Sequence, residues 1–303
     1  MNPLNLFTKI YSRLHNYSGV PFWILTPMRK MVRWGANKVL PRYLARPRTV
    51  KSPVEPGILI SFTSFPARIN EVWQVVESLK NQSVLPEKII LWLSEEQFPN
   101  KQGIPESLWS EVDNIFEIRM VEGDLRSHKK YYYVATDFPN SLIFLADDDI
   151  YYPTTILERT VNAYNLHPDA IICNYGYHIG YTDDGIMKPY NSWKKVFHYS
   201  ESNDLFFGSG GGTLICPASL HKELTNIQKA IELAPIADDI WLNAVVKLSG
   251  KKIVLLDNGM ILPVHNRNDE KLATANKEHS QNDVQLEAVT KYMLEHYRGF
   301  NWT

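Results

Sequence analysis

The chain has 303 residues, 44% of them hydrophobic and 21% charged, a composition that supports a large buried core and excludes a disordered or collagen-like protein. Its two cysteines, Cys173 and Cys216, stand in separate apolar stretches without a CxxC or Cys/His cluster, which argues against a disulfide framework and a cysteine-based zinc site and favours a reducing compartment. The net charge of -1 conceals a strong asymmetry along the chain.

The first segment, residues 1–51, carries ten Lys and Arg and no acid, whereas the other 252 residues carry 22 basic and 33 acidic side chains. Seven aromatic residues are interleaved with those cations, which is typical of a segment lying on an anionic membrane surface. Its longest apolar run, 20–28, is broken by two prolines and is far shorter than the roughly 20 residues that span a bilayer. We therefore expect a cytoplasmic protein, peripheral at the inner face of the cell membrane.

Three other interpretations of this basic arm remain open. It can be a solvated tail, an arm that binds nucleic acid, or a short helical subdomain packed on the body. No nucleic-acid motif follows it, so we expect no nucleic-acid partner. A secretory signal is not supported, because no uninterrupted apolar stretch with a cleavage site follows a compact charged start.

From about residue 56, apolar runs typical of buried strands alternate with helical patterns. The strands are predicted at Ile58–Phe62, Lys88–Leu93, Phe116–Val121, Leu142–Ala146, Ala170–Asn174, Thr213–Cys216 and Lys252–Leu256, and the helices at Ile69–Leu79, Lys129–Thr136, Thr154–Tyr164, Asp239–Leu248 and a last segment ending near Tyr297. This alternation predicts an α/β fold, a mostly parallel sheet with helices on both faces. We expect an arm (1–55), a body (56–265) and a C-terminal loop and helix (266–303), the polar stretch Asn266–Asp283 being a flexible loop.

The string LIFLADDDIYYP delivers three carboxylates, Asp147, Asp148 and Asp149, to the end of a predicted strand. Open α/β sheets bind ligands at the carboxyl ends of their strands. In extended backbone Asp147 and Asp149 point to one side and Asp148 to the other, and a divalent cation would relieve their repulsion. A helix cap needs only one acid, so three adjacent acids favour a metal site that also takes a nucleotide diphosphate.

A second acidic pair, Asp238 and Asp239, stands directly before an amphipathic helix. One member can cap that helix, because helix N-terminal amides favour a carboxylate. The other can act as a general base, although capping alone explains the pair about equally well when the pair is viewed by itself.

Three further features are candidates for the same site. The string LRSHKKYYY groups Arg126, His128, Lys129 and Lys130 as a possible phosphate-binding cluster or a solvated helix start. His265 follows a strand as a possible nitrogen ligand, although a lone histidine is more often structural. The loop Gly208–Gly212 permits close backbone approach to a ligand.

Together these motifs resemble nucleotide-sugar glycosyltransferases of the GT-A fold, similar to bacterial family 2-like enzymes of surface polysaccharide synthesis. The resemblance covers about residues 56–265 and rests on four motifs in order. They are the opening strand and loop ILISFTSFPARI, the strand-borne DDD in place of the family's DXD metal motif, the glycine loop, and ADDIWLN in place of the family's acidic-pair helix.

The resemblance implies a role for each matching residue. The nucleotide pocket would be lined by Thr63, Ser64, Phe65 and Arg68, and the donor side would also include Asp147, Asp148, Lys129 and Lys130. The metal ion, Mn²⁺ or Mg²⁺, would be held by Asp149, Asp147 and His265. The base would be Asp239, or Asp238 in its place, and the acceptor side would be formed by Gly210, Gly211 and Trp193. Many relatives have a Glu-Asp pair where this chain has Ala-Asp-Asp, which leaves open which carboxylate is the base.

The implied activity is metal-dependent transfer of a sugar from a nucleotide-diphosphate sugar, a UDP-sugar first among these, to a hydroxyl of a glycan that is lipid-linked at the membrane. A carboxylate base opposite the leaving diphosphate predicts inversion at the anomeric carbon. The alternatives are a sugar nucleotidyltransferase, although Ser61–Arg68 has no glycine-rich phosphate loop, and a non-catalytic carbohydrate-binding protein at the membrane. A glycoside hydrolase would use two carboxylates but needs no nucleotide site.

Overall fold

The computed structural model describes residues 2–16, 21–46, 52–257, 261–264 and 281–303. Its helices are α1 (Pro3–Asn16), α2 (Phe22–Leu44), α3 (Val72–Lys80), α4 (Glu106–Trp109), α5 (Lys129–Asp137), α6 (Ile156–Leu166), α7 (Ile227–Leu233), α8 (Asp238–Leu248) and α9 (Gln281–His296). Its strands are β1 (Val54–Thr63), β2 (Leu85–Ser94), β3 (Phe116–Val121), β4 (Leu142–Ala146), β5 (Ile150–Tyr151), β6 (Ile171–Cys173), β7 (Gly176–His178), β8 (Lys194–Lys195), β9 (Leu205–Phe207), β10 (Gly211–Ile215), β11 (Ile253–Leu255) and β12 (Leu262–Pro263).

Seven strands form the central sheet, in the order β11-β6-β10-β4-β1-β2-β3. Strand β10 runs antiparallel to both of its neighbours, β4 and β6, while the other paired strands run parallel to each other. The mostly parallel strands therefore deliver the ends of β1 and β4 to the same edge, where the loop before β10 also lies.

Successive side chains of the sheet pack alternately into two separate hydrophobic cores, one on each face. In β4, Phe144 belongs to the core beneath α3 and α6, whereas Ile143 and Leu145 belong to the core beneath α5 and α8. A strand buried on both faces is apolar at every position, which is why the runs in the sequence are continuous rather than alternating. The predicted α/β class, with a mostly parallel sheet and helices on both faces, is confirmed.

Each strand predicted for this sheet is present, with β3 and β4 at the predicted bounds. The sequence did not reveal a three-stranded sheet, β8-β7-β9, or the two-stranded pair β12-β5. These strands have only two or three residues, too few for a periodic pattern to register. The predicted loop at 266–283 lies almost wholly outside the described residues.

The basic arm folds into α1 and α2, which pack on the body. Leu4 and Leu40 are fully buried in the same core as α3. The Asn5 side chain donates to the Thr154 hydroxyl (2.7 Å) and accepts from the Thr154 amide (2.9 Å). This packing is the helical-subdomain arrangement among the alternatives raised by the sequence. Among the described residues, no helix is both long enough and apolar enough to cross a bilayer.

Candidate active site

The two acidic motifs of the sequence meet at the carboxyl edge of the sheet. Asp147 follows β4 and Asp238 begins α8, and the Lys130 ammonium of α5 lies between them. Lys130 Nζ is 2.7 Å from Asp147 Oδ1 and 3.0 Å from Asp238 Oδ2. Burial opposes protonation of this lysine, but the charges of Asp147, Asp238 and Asp239 raise its pKa. A permanently charged Lys130 therefore joins the two motifs into one site.

Within the acid triplet, Asp148 faces the interior and its neighbours face outward. The Asp148 side chain is 5% exposed, and it accepts hydrogen bonds from Ser64 Oγ (2.5 Å) and Arg68 Nη1 (2.9 Å). Burial raises the pKa of Asp148. Asp147 and Asp149 are 40% and 27% exposed. The inner carboxylate thus anchors the turn and the outer two present oxygen atoms to the open side.

The last residue of β1 and the residues that follow it differ in whether they contact the acid triplet. Arg68 Nη1 also lies 2.8 Å from Asp149 Oδ2, so its guanidinium contacts two of the three acids. Phe65 is half-buried beneath Arg68, whose Cζ lies 5.5 Å from the ring centroid. The Thr63 hydroxyl instead donates to the Trp92 carbonyl (2.8 Å) on β2. Ser64 and Arg68 therefore touch the acids, whereas Thr63 and Phe65 form the wall beside them.

Asp238 and Asp239 contact the glycine loop with different electrostatic results. Ser209 Oγ donates to Asp238 Oδ2 (2.7 Å), and the Ser209 amide donates to Asp239 Oδ1 (2.8 Å). Burial acts against ionisation of Asp238, but the charges of Lys130 and His128 hold the pKa of Asp238 below its ordinary value. Burial and the neighbouring Asp238 charge raise the pKa of Asp239 to about 7. Asp239 is thus the acid of this pair that exchanges a proton near neutral pH.

The glycine loop, residues 208–212, lies directly on the first acid of the triplet. A Cβ at Gly210 would stand 1.8 Å from Asp147 Cγ, and one at Gly211 would stand 2.3 Å from Tyr175 Cβ. The Tyr152 hydroxyl accepts from the Asp147 amide (2.8 Å) and donates to the Gly210 carbonyl (2.5 Å). Only glycine fits at 210 without displacing the Asp147 carboxylate.

Sequence reasoning missed two kinds of residue at this site. Ser209 binds both acids of α8. The one sequence signal that could have identified it is its position inside the glycine-rich loop. Tyr152 connects the triplet to the loop, and the Tyr175 hydroxyl lies 2.5 Å from the Tyr177 hydroxyl beside Gly208. A tyrosine carries no sequence signal that separates a residue of a functional site from a residue of the core.

Two predicted site residues contact other parts of the fold. Lys129 is 1% exposed and pairs with Asp124, because a step of one residue along α5 turns its side chain by about 100° from that of Lys130. Trp193 is 6% exposed, with its ring against Tyr190 and its indole N–H donating to the Lys188 carbonyl (2.9 Å), so it packs in the interior and does not present an open face to a sugar. His265 lies outside the described residues.

Among the described residues, no group of three or more His, Cys, Asp and Glu side chains is arranged to hold a metal ion. The donor chemistry of the site nevertheless fits Mg²⁺ or Mn²⁺, which use one or two carboxylates and complete their shell with water and phosphate oxygens. Asp147 and Asp149 supply those two carboxylates, and each already faces a cation, Lys130 or Arg68 respectively.

No family model matches the chain, and no curated protein matches it. Among solved structures it is similar to UDP-glucose pyrophosphorylase, apo and complexed with UDP-glucose, at TM-score 0.38 and 11% identity over 81% of this chain and 99% and 100% of those chains. It is similar to a 4-diphosphocytidyl-2C-methyl-D-erythritol synthase at TM-score 0.42 and 13% identity over 74% of this chain and 99% of that one. The same synthase from Anaerococcus prevotii DSM 20548 matches at TM-score 0.40 and 13% identity, over 74% and 95% of the two chains.

These neighbours are named as a pyrophosphorylase and a diphosphocytidyl synthase, and the GT-A resemblance receives no specific support from them. TM-scores between 0.38 and 0.42 carry no argument about activity, so the choice of function rests on the site itself.

Proposed function

We propose that the protein is a metal-dependent glycosyltransferase that moves a sugar from a nucleotide-diphosphate sugar to a hydroxyl of a glycan acceptor. The observation that carries this proposal is the joint site of two acid groups around one glycine loop. The outward carboxylates of Asp147 and Asp149 suit a metal and a diphosphate, while Asp239, on the other side of the loop, has a pKa of about 7.

On the donor side, Asp147 and Asp149 would hold Mn²⁺ or Mg²⁺ against the diphosphate of the nucleotide sugar. Such a metal ion, when bound, neutralises the negative charge that develops on the leaving diphosphate. Arg68 contacts Asp148 and Asp149 through one nitrogen and is 21% exposed, so its guanidinium is placed beside that charge. Arginine suits this role because its planar N–H groups match phosphate oxygens.

On the acceptor side, Asp239 would remove the proton of the incoming hydroxyl. A general base works best when its pKa lies near the working pH, and burial brings Asp239 to about 7. Asp238 is less suited, because Lys130 keeps its charge paired and its pKa low. A base facing the leaving group across the sugar ring predicts inversion at the anomeric carbon.

The sugar nucleotidyltransferase, one of the alternatives that the sequence leaves open, is the second candidate. That reaction joins a nucleoside triphosphate to a sugar phosphate and releases pyrophosphate. It needs no base for an acceptor hydroxyl, so Asp239 would have no part in it. The loop after β1 also contains no glycine, unlike the phosphate loop that such an enzyme would use.

The experiment that tests the proposal follows products from the purified protein with Mn²⁺. One series offers nucleotide-diphosphate sugars with a glycan acceptor, and the other offers nucleoside triphosphates with sugar 1-phosphates. We expect nucleoside diphosphate and a longer glycan from the first series, with Asp239→Asn slower by about 10²- to 10⁴-fold. Pyrophosphate from the second series alone would establish the nucleotidyltransferase, and no product with sugar binding intact would favour the carbohydrate-binding protein.

We also propose that the arm rests on an anionic membrane surface, at the inner face of the cell membrane, where a lipid-linked acceptor is presented. Trp23, Met31 and Trp34 are 73%, 64% and 62% exposed on α2. Lys30 and Lys38 share that side of the helix, with Lys38 Nζ 4.1 Å from the Trp34 ring centroid. Exposed indole rings among cations match the interface between lipid headgroups and acyl chains.

A further inference from the structure

A cavity of about 630 Å³ is lined by residues of helix α1 and of the body. Its lining includes Lys9 and Arg13 of α1 and, from the body, Arg159 of α6, His198 and Asp257. Lys9 and Arg13 are one helical turn apart, so both side chains lie on the side of α1 that faces the cavity. The cavity is therefore built from the basic arm and the body together.

The lining of this cavity favours an anion. Three of its side chains are basic, Lys9, Arg13 and Arg159, against a single acid, Asp257. Arg159 Nη2 donates to the main-chain carbonyl of Asp257 (2.5 Å), which fixes the position of the guanidinium at the wall. Arginine and lysine side chains converging from two elements are the groups that bind phosphate oxygens, arginine in a bidentate manner.

The cavity also adjoins the candidate active site through the glycine loop. Gly211 forms part of its wall, whereas Gly210 lies against Asp147 and the Ser209 amide binds Asp239. Of these three successive residues, Gly211 thus faces the cavity, Gly210 faces the proposed donor-side carboxylate of Asp147, and Ser209 contacts the proposed base, Asp239. A ligand anchored in the cavity lies within one short loop of the reacting groups.

We propose that this cavity binds the phosphoryl groups of the acceptor, which is a diphosphate ester of a lipid that carries the glycan. The inference rests on the proposed function, since it assigns a substrate class to the acceptor side of the same site. Because both ends of this diphosphate are esterified, it places two negative charges against the three basic side chains.

The test titrates geranyl diphosphate, a soluble short-chain lipid diphosphate, into the full chain by calorimetry in EDTA, which suppresses metal-dependent binding at Asp147 and Asp149. We expect the double variant Lys9→Gln/Arg13→Gln to bind at least tenfold more weakly than the wild type. The charge-matched control, Lys88→Gln/Lys229→Gln, removes two lysines that pair with surface acids of the body and should bind like the wild type. No binding by the wild type, or equal weakening in both double variants, would overturn the proposal.

Two further measurements separate the sources of phosphate and the two proposals. If Lys9→Gln/Arg13→Gln weakens binding to phosphatidylglycerol vesicles but leaves geranyl diphosphate binding unchanged, the cavity recognises membrane headgroups and the acceptor proposal is wrong. Binding of UDP with Mn²⁺ should be the same in this variant and the wild type. Failure of every nucleotide to bind, with geranyl diphosphate binding intact and dependent on Lys9 and Arg13, would contradict the glycosyltransferase and support the diphosphate site.

Discussion

At the scale of single residues, the account depends on two adjacent aspartates with opposite electrostatics. Lys130 stabilises the charge of Asp238, whereas Asp239 is half-buried beside that same charge. The pair therefore holds one ionised carboxylate and one that ionises near neutral pH. A group kept in this condition destabilises the folded protein once it is charged, which is a common property of residues with a chemical task.

This asymmetry predicts opposite effects of two conservative substitutions on stability. The folded-state pKa of Asp239 is raised to about 7. Its favourable contribution to the free energy of unfolding is therefore present at low pH and is lost as the pH rises from about 4 through 7. Asp239→Asn should thus raise Tm at pH 8, by about 2 to 8 °C, and by less at pH 5. Asn keeps an oxygen to accept from the Ser209 amide.

The matched variant is Asp238→Asn, measured by calorimetry at the same two pH values. The pKa of Asp238 is lowered, so its contribution is present at pH 8 and declines as the pH falls through the acid range. We expect Asp238→Asn to lower Tm at pH 8. A lower Tm for Asp239→Asn at pH 8 would show that its carboxylate is not destabilised by its surroundings.

At the scale of elements, the glycine loop before β10 joins the strand-borne triplet to the start of α8. Its residues bind Asp238 and Asp239 through Ser209 and pack on Asp147 through Gly210. The loop thus contacts both Asp147 and the two acids at the start of α8. A small displacement of this loop changes both sides of the site at once.

Gly210→Ala tests the importance of that contact. The new Cβ would stand 1.8 Å from Asp147 Cγ, so either the loop or the carboxylate must move. We expect stability to fall by about 1 to 3 kcal/mol and the rate of transfer to fall by about 10². The control is Gly35→Ala in α2, where the nearest atom to a Cβ is 3.5 Å away and where alanine favours the helix. If Gly210→Ala left the rate of sugar transfer unchanged, the glycine loop would have no part in the mechanism.

Elements and motifs were predictable from the sequence to different degrees. The strands of the central sheet were predictable because each is a continuous apolar run. The DDD and ADD strings can be read directly from the sequence. The choice between Lys129 and Lys130 was not predictable, because it depends on how α5 is rotated against the sheet. The burial of Trp193 depends on β7–β9, whose strands are too short to give a pattern. The Lys130 bridge between Asp147 and Asp238 depends on tertiary packing alone.

At the scale of the whole molecule, charge is divided between two parts that are packed together. The basic helices α1 and α2 bury one side in the common core and expose Trp23 and Trp34 on the other. The body carries the excess of acid and the carboxyl edge of the sheet. If the arm rests on a membrane as proposed, this division of charge would turn the basic helices toward the anionic surface.

The orientation predicts a specific loss of membrane binding. Trp23→Ser/Trp34→Ser should reduce binding to vesicles containing anionic phospholipid by about 10- to 100-fold, because two exposed indole rings leave the interface. Leu166→Ser is the control, since Leu166 is 78% exposed on α6 of the body. Sedimentation with vesicles at low and high salt separates the apolar contribution to membrane binding from the ionic contribution, because salt screens only the latter. Binding that is equal in both variants would remove α2 from the contact.

The measurement that bears most directly on the central claim is the Tm of the purified protein with UDP and other nucleoside diphosphates, each with and without Mn²⁺. A ligand bound only by the folded state raises Tm, so a joint nucleotide and metal site predicts a rise of several degrees that requires both. Asp147→Ala and Asp149→Ala should abolish that rise, and Asp239→Asn should retain it. No rise with any nucleoside diphosphate, or a rise that survives both alanine substitutions, would contradict the assignment of the carboxyl edge as the donor site.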